Sequence, residues 1–296
     1  MKQKFIDKTF HKASLVRINE VNAIINDYQQ QGFTLTLRQL YYQLVSRDLI
    51  PNKQNEYAKL SALVTAARRA GLIDWSAIED RTRYLRTIKT YSGPAAAIRS
   101  AADEYCIDLW KGQPYYIEVW VEKDALVDIV AQACNRYRVP YFSCRGFMSD
   151  SETYKAGRRM REIYDSGKDI IFLHLGDHDP SGLEMSRDIL RRVEMFGDLS
   201  NKIDFQRIAL NMNQIEDLQP PPNPAKETDS RAKAYIEEFG PISWELDALE
   251  PAYLMQLIQA NIEQYIDVEK FNQRVRQERE ETTLIYEQAT LVECGA

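Results

Sequence analysis

The chain has 296 residues, a 44% hydrophobic content and a net charge of −6, which together are typical of a globular protein of about two domains. The sequence has no apolar run of the roughly 20 residues that cross a bilayer, and its first residues lack the apolar core of a signal peptide. Four cysteines without a Cys-x-x-Cys pair, and only three histidines, disfavour a structural zinc site, so we expect a cytoplasmic protein with reduced thiols and no membrane segment.

Charge is unevenly distributed along the chain. Residues 1–99 hold 16 Lys+Arg against 8 Asp+Glu, a net +8, whereas the remaining residues hold 22 against 36, a net −14. A basic first third followed by an acidic body is typical of a DNA-docking domain joined to a carboxylate-rich domain. The alternative is an accidental asymmetry between solvated faces.

The first third of the chain is predicted to be helical. Apolar residues recur at helical spacing over 13–30, Thr34 or Thr36 can cap a second helix that runs to about Arg47, and a third helix covers roughly 54–70. Helix, turn, helix and a short following segment predict a winged-helix domain, and a generic three-helix domain with a basic face is the alternative. The candidate DNA-binding residues are Arg68, Arg69, Arg81, Arg83 and Arg86.

The middle of the chain alternates between strand and helix patterns. Runs of β-branched and aromatic residues predict strands over 115–121, 139–144, 169–175 and 203–210, with helices between them. The third run is apolar throughout, as expected of a parallel strand buried on both faces. This region is therefore predicted to be an α/β domain with a parallel sheet covered by helices on both faces.

A proline-rich stretch over 219–224 predicts a stiff extended linker. Helices are predicted beyond it over 252–265 and 268–287, in a segment that is acidic overall. The predicted units are a helical DNA-binding domain (1–100), a parallel-sheet domain (112–215) and a C-terminal helical segment (226–296).

Acidic side chains follow two strands of the predicted sheet at the point where each strand ends. Glu122 closes the first strand, and Asp177 and Asp179 follow the third. Ligands bind outside the carboxyl ends of the strands in an open parallel sheet, so we expect these three carboxylates to converge. Mg²⁺ binds through one or two carboxylates together with a phosphate, so the sequence predicts a magnesium site for a phosphodiester. Ordinary alternatives are a helix cap at Asp179 before Pro180 and an ion pair for Glu122.

The two acidic motifs carry a family resemblance. Val-Glu-Lys-Asp-Ala over 121–125, followed by Gly-Asp-His-Asp-Pro-Ser-Gly over 176–182, resembles the Toprim domain of the topoisomerase VI A subunit and of the related transesterase that makes meiotic double-strand breaks. The resemblance extends over about residues 10–215, a winged helix followed by Toprim in the family's order. In that family the glutamate and the Asp-x-Asp pair bind magnesium, which implies the same role for the three carboxylates named above.

The resemblance also implies a nucleophile. In the family this is the second tyrosine of a paired motif in the winged helix, and Arg38-Gln39-Leu40-Tyr41-Tyr42 places the match on Tyr42. Tyr41 belongs to the apolar stripe of the helix, whereas Tyr42 lies about 120° from the centre of that stripe and is expected to be accessible. Arg38, four residues earlier, is expected to reach the Tyr42 hydroxyl or a phosphate beside it. Gln39 stands where the family commonly has aspartate, and the alternative for Tyr42 is an ordinary surface aromatic, or one that stacks on a base.

The resemblance therefore implies Mg²⁺-dependent DNA cleavage by tyrosine transesterification, with Tyr42, Arg38 and Glu122 as catalytic residues. The partners it implies are double-stranded DNA and a second copy of the chain, each site combining Tyr42 of one protomer with the carboxylates of the other. ATP-driven strand passage would need a separate ATPase subunit. Two alternatives remain open: a hydrolytic Toprim nuclease of defence systems or mobile elements, and a non-catalytic winged-helix DNA-binding protein.

Overall fold

The computed structural model describes residues 1–79, 87–225 and 231–295 of the chain. Arg81, Arg83 and Arg86, which the sequence marks as candidate DNA contacts, lie outside the described residues. The helices are α1 (Lys12–Gln30), α2 (Leu37–Ser46), α3 (Gln54–Arg69), α4 (Pro94–Glu104), α5 (Val127–Asn135), α6 (Asp150–Asp165), α7 (Pro180–Gly197), α8 (Met212–Leu218), α9 (Ala232–Phe239), α10 (Pro251–Glu263) and α11 (Val268–Glu293). The strands are β1 (Tyr115–Val121), β2 (Tyr141–Ser143), β3 (Asp169–Leu175), β4 (Ile203–Ala209), β5 (Asn223–Pro224) and β6 (Ile242–Ser243).

The predicted three helices at the start of the chain are confirmed as α1, α2 and α3, which pack around one apolar core. α2 begins where the sequence expects it, because the Thr36 side chain accepts a hydrogen bond from the Gln39 N–H, and the Gln39 side chain accepts one from the Thr36 N–H. This double cap fixes the first turn of the helix that carries Arg38 and Tyr42.

The predicted parallel α/β sheet is confirmed, with strand order β2-β1-β3-β4 and every pairing parallel. In the register, Val121 pairs with Ser143 on one side and with Leu175 on the other, so β1 and β3 end side by side. The chain moves from β1 to β2 in one direction and then returns past β1 to β3. The boundary between β1 and β3 is therefore the topological switch point, where an open sheet of this kind forms its ligand crevice.

Helices cover both faces of this sheet. α5 and α10 contact each other and share one apolar core with β1 and β3, while α6 and α7 cover the opposite face. α6 and α7 approach closely at two glycines, since a Cβ placed on Gly157 would lie 2.8 Å from the Gly197 nitrogen. The layers hold the carboxyl ends of β1 and β3 in a fixed relation.

The C-terminal part of the chain packs onto the rest of the fold. The stretch predicted to be a stiff linker ends in β5, which pairs antiparallel with β6, so residues 223–224 are held by residues 242–243. A short 3₁₀ turn, Leu246–Ala248, follows β6 and contacts α2. We call residues 242–248 the C-terminal strap. None of the helices in the described parts of the chain is long and apolar enough to pass through a bilayer.

Candidate active site at the carboxyl ends of β1 and β3

The carboxylates predicted to converge do lie at one rim of the sheet. The Asp177 N–H donates to Oε2 of Glu122 at 2.9 Å, so the residue that follows β1 contacts the loop that follows β3. Asp179 begins α7, and its Oδ1 accepts from the Gly182 N–H at 2.6 Å with Pro180 at the first helical position. Asp179 is therefore a helix cap as well as a member of the acidic rim.

Gly182 allows the first turn of α7 to pack against the acidic loop. A Cβ at this position would lie 2.3 Å from the Asp177 carbonyl oxygen and 3.1 Å from Oε2 of Glu122. Both distances are too short for a side chain, so only glycine lets the loop and the helix approach this closely. The tight fold of the Gly-Asp-His-Asp-Pro-Ser-Gly segment thus depends on its last glycine.

Arg207 on β4 holds the same loop and the first turns of α7 through hydrogen bonds from its guanidinium group. Its Nη2 donates to the carbonyls of Gly176 at 2.9 Å and Asp177 at 2.5 Å, and its Nη1 donates to the Gly182 carbonyl at 3.2 Å and Ser186 Oγ at 2.5 Å. Burial lowers the pKa of Arg207 to about 10, although the nearby carboxylates favour its charged form. The sequence analysis did not identify Arg207 as part of the site. Its one signal in the sequence was an arginine inside a predicted strand.

Lys123 occupies the centre of the acidic rim. Its Nζ lies 2.9 Å from Oδ2 of Asp177, 2.7 Å from Oε2 of Glu245 and 3.0 Å from Oδ1 of Asp247. The Leu246 N–H donates to Oδ1 of Asp177 at 2.7 Å, which ties the strap to the loop after β3. The ammonium group therefore neutralises carboxylates from two distant parts of the chain.

Arg38 joins α2 to the strap. Its Nε donates to Oδ2 of Asp247 at 2.9 Å, its Nη2 contacts Oε2 of Glu245, and its guanidinium carbon lies 5.7 Å from the centre of the Tyr42 ring. The sequence predicted the proximity to Tyr42 but missed Glu245 and Asp247. Two acids at alternate positions in Trp244-Glu245-Leu246-Asp247 were the only local signal.

Tyr42 is less accessible than predicted, since only 5% of its surface is exposed. The prediction of an accessible side chain is wrong because Tyr42 belongs to the apolar core of the three helices, which Ala248 of the strap joins where its 3₁₀ turn contacts α2. Burial raises the pKa of Tyr42 above its ordinary value, and the negative charges of Asp247 and Glu245 raise it further, while Arg38 opposes them. The resting hydroxyl is therefore protonated at neutral pH.

The tyrosine and the two aspartates nevertheless line the same cavity, whose volume is about 710 Å³. The predicted combination of residues from two protomers is not needed for this convergence, because a single chain supplies both motifs. The wall of the cavity is formed by three tyrosines from α2 and α3, amides, carboxylates, one arginine, one lysine, a serine and a proline. The residues are Arg38, Tyr41, Tyr42, Asn52, Gln54, Tyr57, Lys123, Asp177, Asp179, Asn223, Pro224, Ser243 and Glu245.

The pKa values of the acidic groups are shifted in different directions. It raises the pKa of Asp177 to about 7, against the opposing effect of Lys123, and it raises the pKa of Glu122. Burial also disfavours the charge of Glu245, but Lys123 and Arg38 outweigh it and lower the pKa of that carboxyl to about 2. Near neutral pH, the charge of Asp177 therefore responds to a change in charge nearby.

The site has more acidic than basic side chains, which suits a divalent cation. Five carboxylates, those of Glu122, Asp177, Asp179, Glu245 and Asp247, face three cations, Lys123, Arg38 and Arg207. Among the described residues, no group of three His, Cys, Asp or Glu side chains is already arranged around one metal position. Mg²⁺ typically takes one or two protein carboxylates and completes its shell with phosphate and water, so Asp177 and Asp179, which line the cavity, could hold it.

Two of the candidate DNA-binding arginines are within the described residues. Arg68 turns inward: its Nη2 donates to the carbonyls of Trp75 at 2.5 Å and Ile78 at 3.1 Å, and its guanidinium carbon lies 4.7 Å from the centre of the Trp75 ring. Arg69, in the last turn of α3, is exposed. Arg68 therefore holds the loop after α3, and Arg69 remains available to a partner.

In comparison with known proteins, no family model, curated protein or solved structure matches the chain significantly. The likeness to the topoisomerase VI A subunit thus stays a resemblance carried by two short motifs and their order. The function has to be inferred from the geometry of the cavity itself.

Proposed function

We propose that this protein is a Mg²⁺-dependent enzyme that cleaves double-stranded DNA, with Tyr42 as the nucleophile. The observation that carries the proposal is the shared cavity. Tyr42, Asp177 and Asp179 were selected from separate stretches of sequence, and they line one space at the switch point of a parallel sheet. The resemblance to the topoisomerase VI A subunit supports the same assignment.

The residues have distinct roles in this proposal. The Tyr42 oxygen forms a bond to phosphorus, the bond from phosphorus to the leaving sugar oxygen breaks, and the phenol proton is lost while the leaving oxygen gains one. Arg38 stabilises the negative charge that develops on the phenol and the phosphate. Asp177 and Asp179 would hold Mg²⁺, with Glu122 fixing the loop that carries them, and the bound ion would neutralise phosphate charge. Cutting both strands calls for two copies, which we propose as a homodimer.

A hydrolytic nuclease is the second candidate, and the protonation of Tyr42 favours it. The raised pKa of Tyr42 makes its phenolate costly, so metal-activated water could attack instead. The acidic rim and Arg38 would keep their roles towards the phosphate. The two candidates then differ only in the nucleophile.

One experiment separates these functions. Supercoiled plasmid is incubated with the protein and Mg²⁺, then denatured with detergent, with and without protease. The wild type is compared with Tyr42→Phe, with Tyr57→Phe as a matched control from the same cavity wall, and with Asp179→Asn. DNA that becomes linked to protein, and is lost only in Tyr42→Phe and Asp179→Asn, supports the transesterase.

The other outcomes are equally specific. Cleavage that survives Tyr42→Phe and disappears in Asp179→Asn supports the hydrolytic nuclease. Retention of plasmid without cleavage, at any divalent metal tested, refutes both enzymatic proposals and leaves a DNA-binding protein. Equal loss in Tyr42→Phe and Tyr57→Phe would show that the cavity wall, and not the nucleophile, has been disturbed.

A further inference from the structure

One carboxylate oxygen in the cavity lies between two cations. Oε2 of Glu245 is 2.7 Å from Nζ of Lys123 and also contacts Nη2 of Arg38. Tyr42 lies beside this pair, with its ring centre 5.7 Å from the guanidinium carbon of Arg38. The position of this oxygen is therefore a site where an ammonium and a guanidinium meet next to a tyrosine.

The two strap carboxylates that bind these cations differ in their exposure. The Asp247 side chain is fully buried and gives one oxygen to each cation, Oδ2 to Arg38 at 2.9 Å and Oδ1 to Lys123 at 3.0 Å. The Glu245 side chain is 25% exposed and lines the cavity. Asp247 is thus a permanent counter-ion that holds both cations in place, whereas Glu245 can leave towards solvent.

We propose that Arg38 and Lys123 form a phosphate-binding subsite in which the Glu245 carboxylate is a resident anion, exchanged for a phosphate oxygen when substrate enters. Arginine and lysine together suit a phosphate, because the guanidinium supplies a planar pair of donors and the ammonium a compact charge. A phosphate in this place lies in the cavity that Tyr42 also lines. The identity of the phosphate as part of DNA rests on the function proposed above, but the subsite itself does not.

Exchange of the anion keeps the charge of the subsite balanced. Glu245 neutralises Arg38 and Lys123 in the empty protein, and the incoming phosphate carries at least as much negative charge. Glu245 therefore holds the two cations in place until a phosphate takes its position.

The test measures phosphate binding without Mg²⁺, using inorganic phosphate in isothermal titration calorimetry. Glu245→Gln keeps the size of the side chain and removes its charge, and we expect it to bind phosphate at least tenfold more tightly than the wild type. Glu278→Gln is the matched control, since Glu278 also pairs with an arginine, Arg138, away from the cavity. Adding Lys123→Gln to Glu245→Gln should abolish the gain. Equal affinity of Glu245→Gln and the wild type would overturn the proposal.

A second measurement needs no variant. In the ¹³C NMR spectrum of the wild type, phosphate should shift the carboxyl signal of Glu245 and leave that of Glu278 unchanged; a Glu245 signal that does not move at saturation refutes the exchange. A DNA duplex replaces phosphate in a parallel titration, and a duplex that fails to show the tenfold gain assigns the subsite to a phosphate source other than DNA. Phosphate binding as expected, with no plasmid cleavage, would retain the subsite and reject the proposed function. Plasmid cleavage without tighter phosphate binding by Glu245→Gln would retain the proposed function and reject the subsite.

Discussion

Replacement of Asp177 by asparagine should stabilise the fold, and the gain should grow with pH. Burial raises the pKa of the Asp177 carboxyl from its ordinary 3.8 to about 7, so the folded state binds this proton more tightly than the unfolded state does. Folding therefore receives no penalty from Asp177 at low pH and a progressive one as pH rises between these two values. Asparagine stays neutral throughout, which removes the penalty.

The magnitude follows from the shift. A tenfold change in proton affinity corresponds to about 1.4 kcal/mol, so the penalty reaches about 4 kcal/mol above pH ~7 and about 2 kcal/mol at pH ~5, and it becomes small below pH ~4. Removing one member of a buried ion pair costs about 3–5 kcal/mol when its partner is left alone. Lys123 keeps Glu245 and Asp247 after the substitution, so the penalty of an isolated charge does not arise.

Urea denaturation in EDTA at about pH 5 and about pH 8 provides the assay. Asp177→Asn should gain at both pH values, with a gain larger by about 2 kcal/mol at the higher one. Asp188→Asn serves as the control, because Asp188 is paired with Arg192 on a helix outside the cavity and should show no gain. A loss of stability in Asp177→Asn, or a gain independent of pH, would show that the ion pair with Lys123 outweighs burial.

Three further predictions follow from the same loop. Gly182→Ala should destabilise the protein by about 2 kcal/mol or more in urea denaturation, because its Cβ would meet the Asp177 carbonyl, whereas Gly93→Ala, which meets nothing within 4 Å, should be nearly neutral. Arg207→Met should cost about 3 kcal/mol by removing the donor of the buried Asp177 carbonyl and of Ser186 Oγ, and the exposed Arg191→Met should cost about 0.5 kcal/mol or less; similar losses in the two would refute this role of Arg207. Mg²⁺ should raise the melting temperature more at about pH 8 than at about pH 6, since binding needs the ionised Asp177 carboxylate, and an equal rise at both would contradict this.

Features that depend on local sequence could be predicted well. β1 and β3 are recognisable from their apolar and β-branched runs, and the start of α2 from its threonine cap. The meeting of Glu122 and Asp177 also follows from the sequence, because parallel strands end at the same rim. The helix that begins at Pro94 was not predicted, although a proline at the first helical position was an available signal.

Features that depend on distant contacts could not be predicted. The exposure of Tyr42 was judged from the helix alone, but its outer flank is covered by residues that come some 200 positions later. Arg38 could pair with any of the chain's 44 Asp and Glu residues, and nothing local selects Glu245 and Asp247 among them. The sequence therefore predicts the part of the site that is formed at the ends of the parallel strands. It does not predict the part that depends on contacts between residues far apart in the chain.

The position of the C-terminal strap in the chain has a consequence for biosynthesis. Arg38 and Lys123 leave the ribosome long before Asp247, their buried counter-ion, has been made. Until the strap has been made, Arg38 lacks both of its acidic partners, Lys123 has only Asp177, and the flank of α2 is open. The cavity is therefore completed late in synthesis, after its tyrosines and its two aspartates have been made.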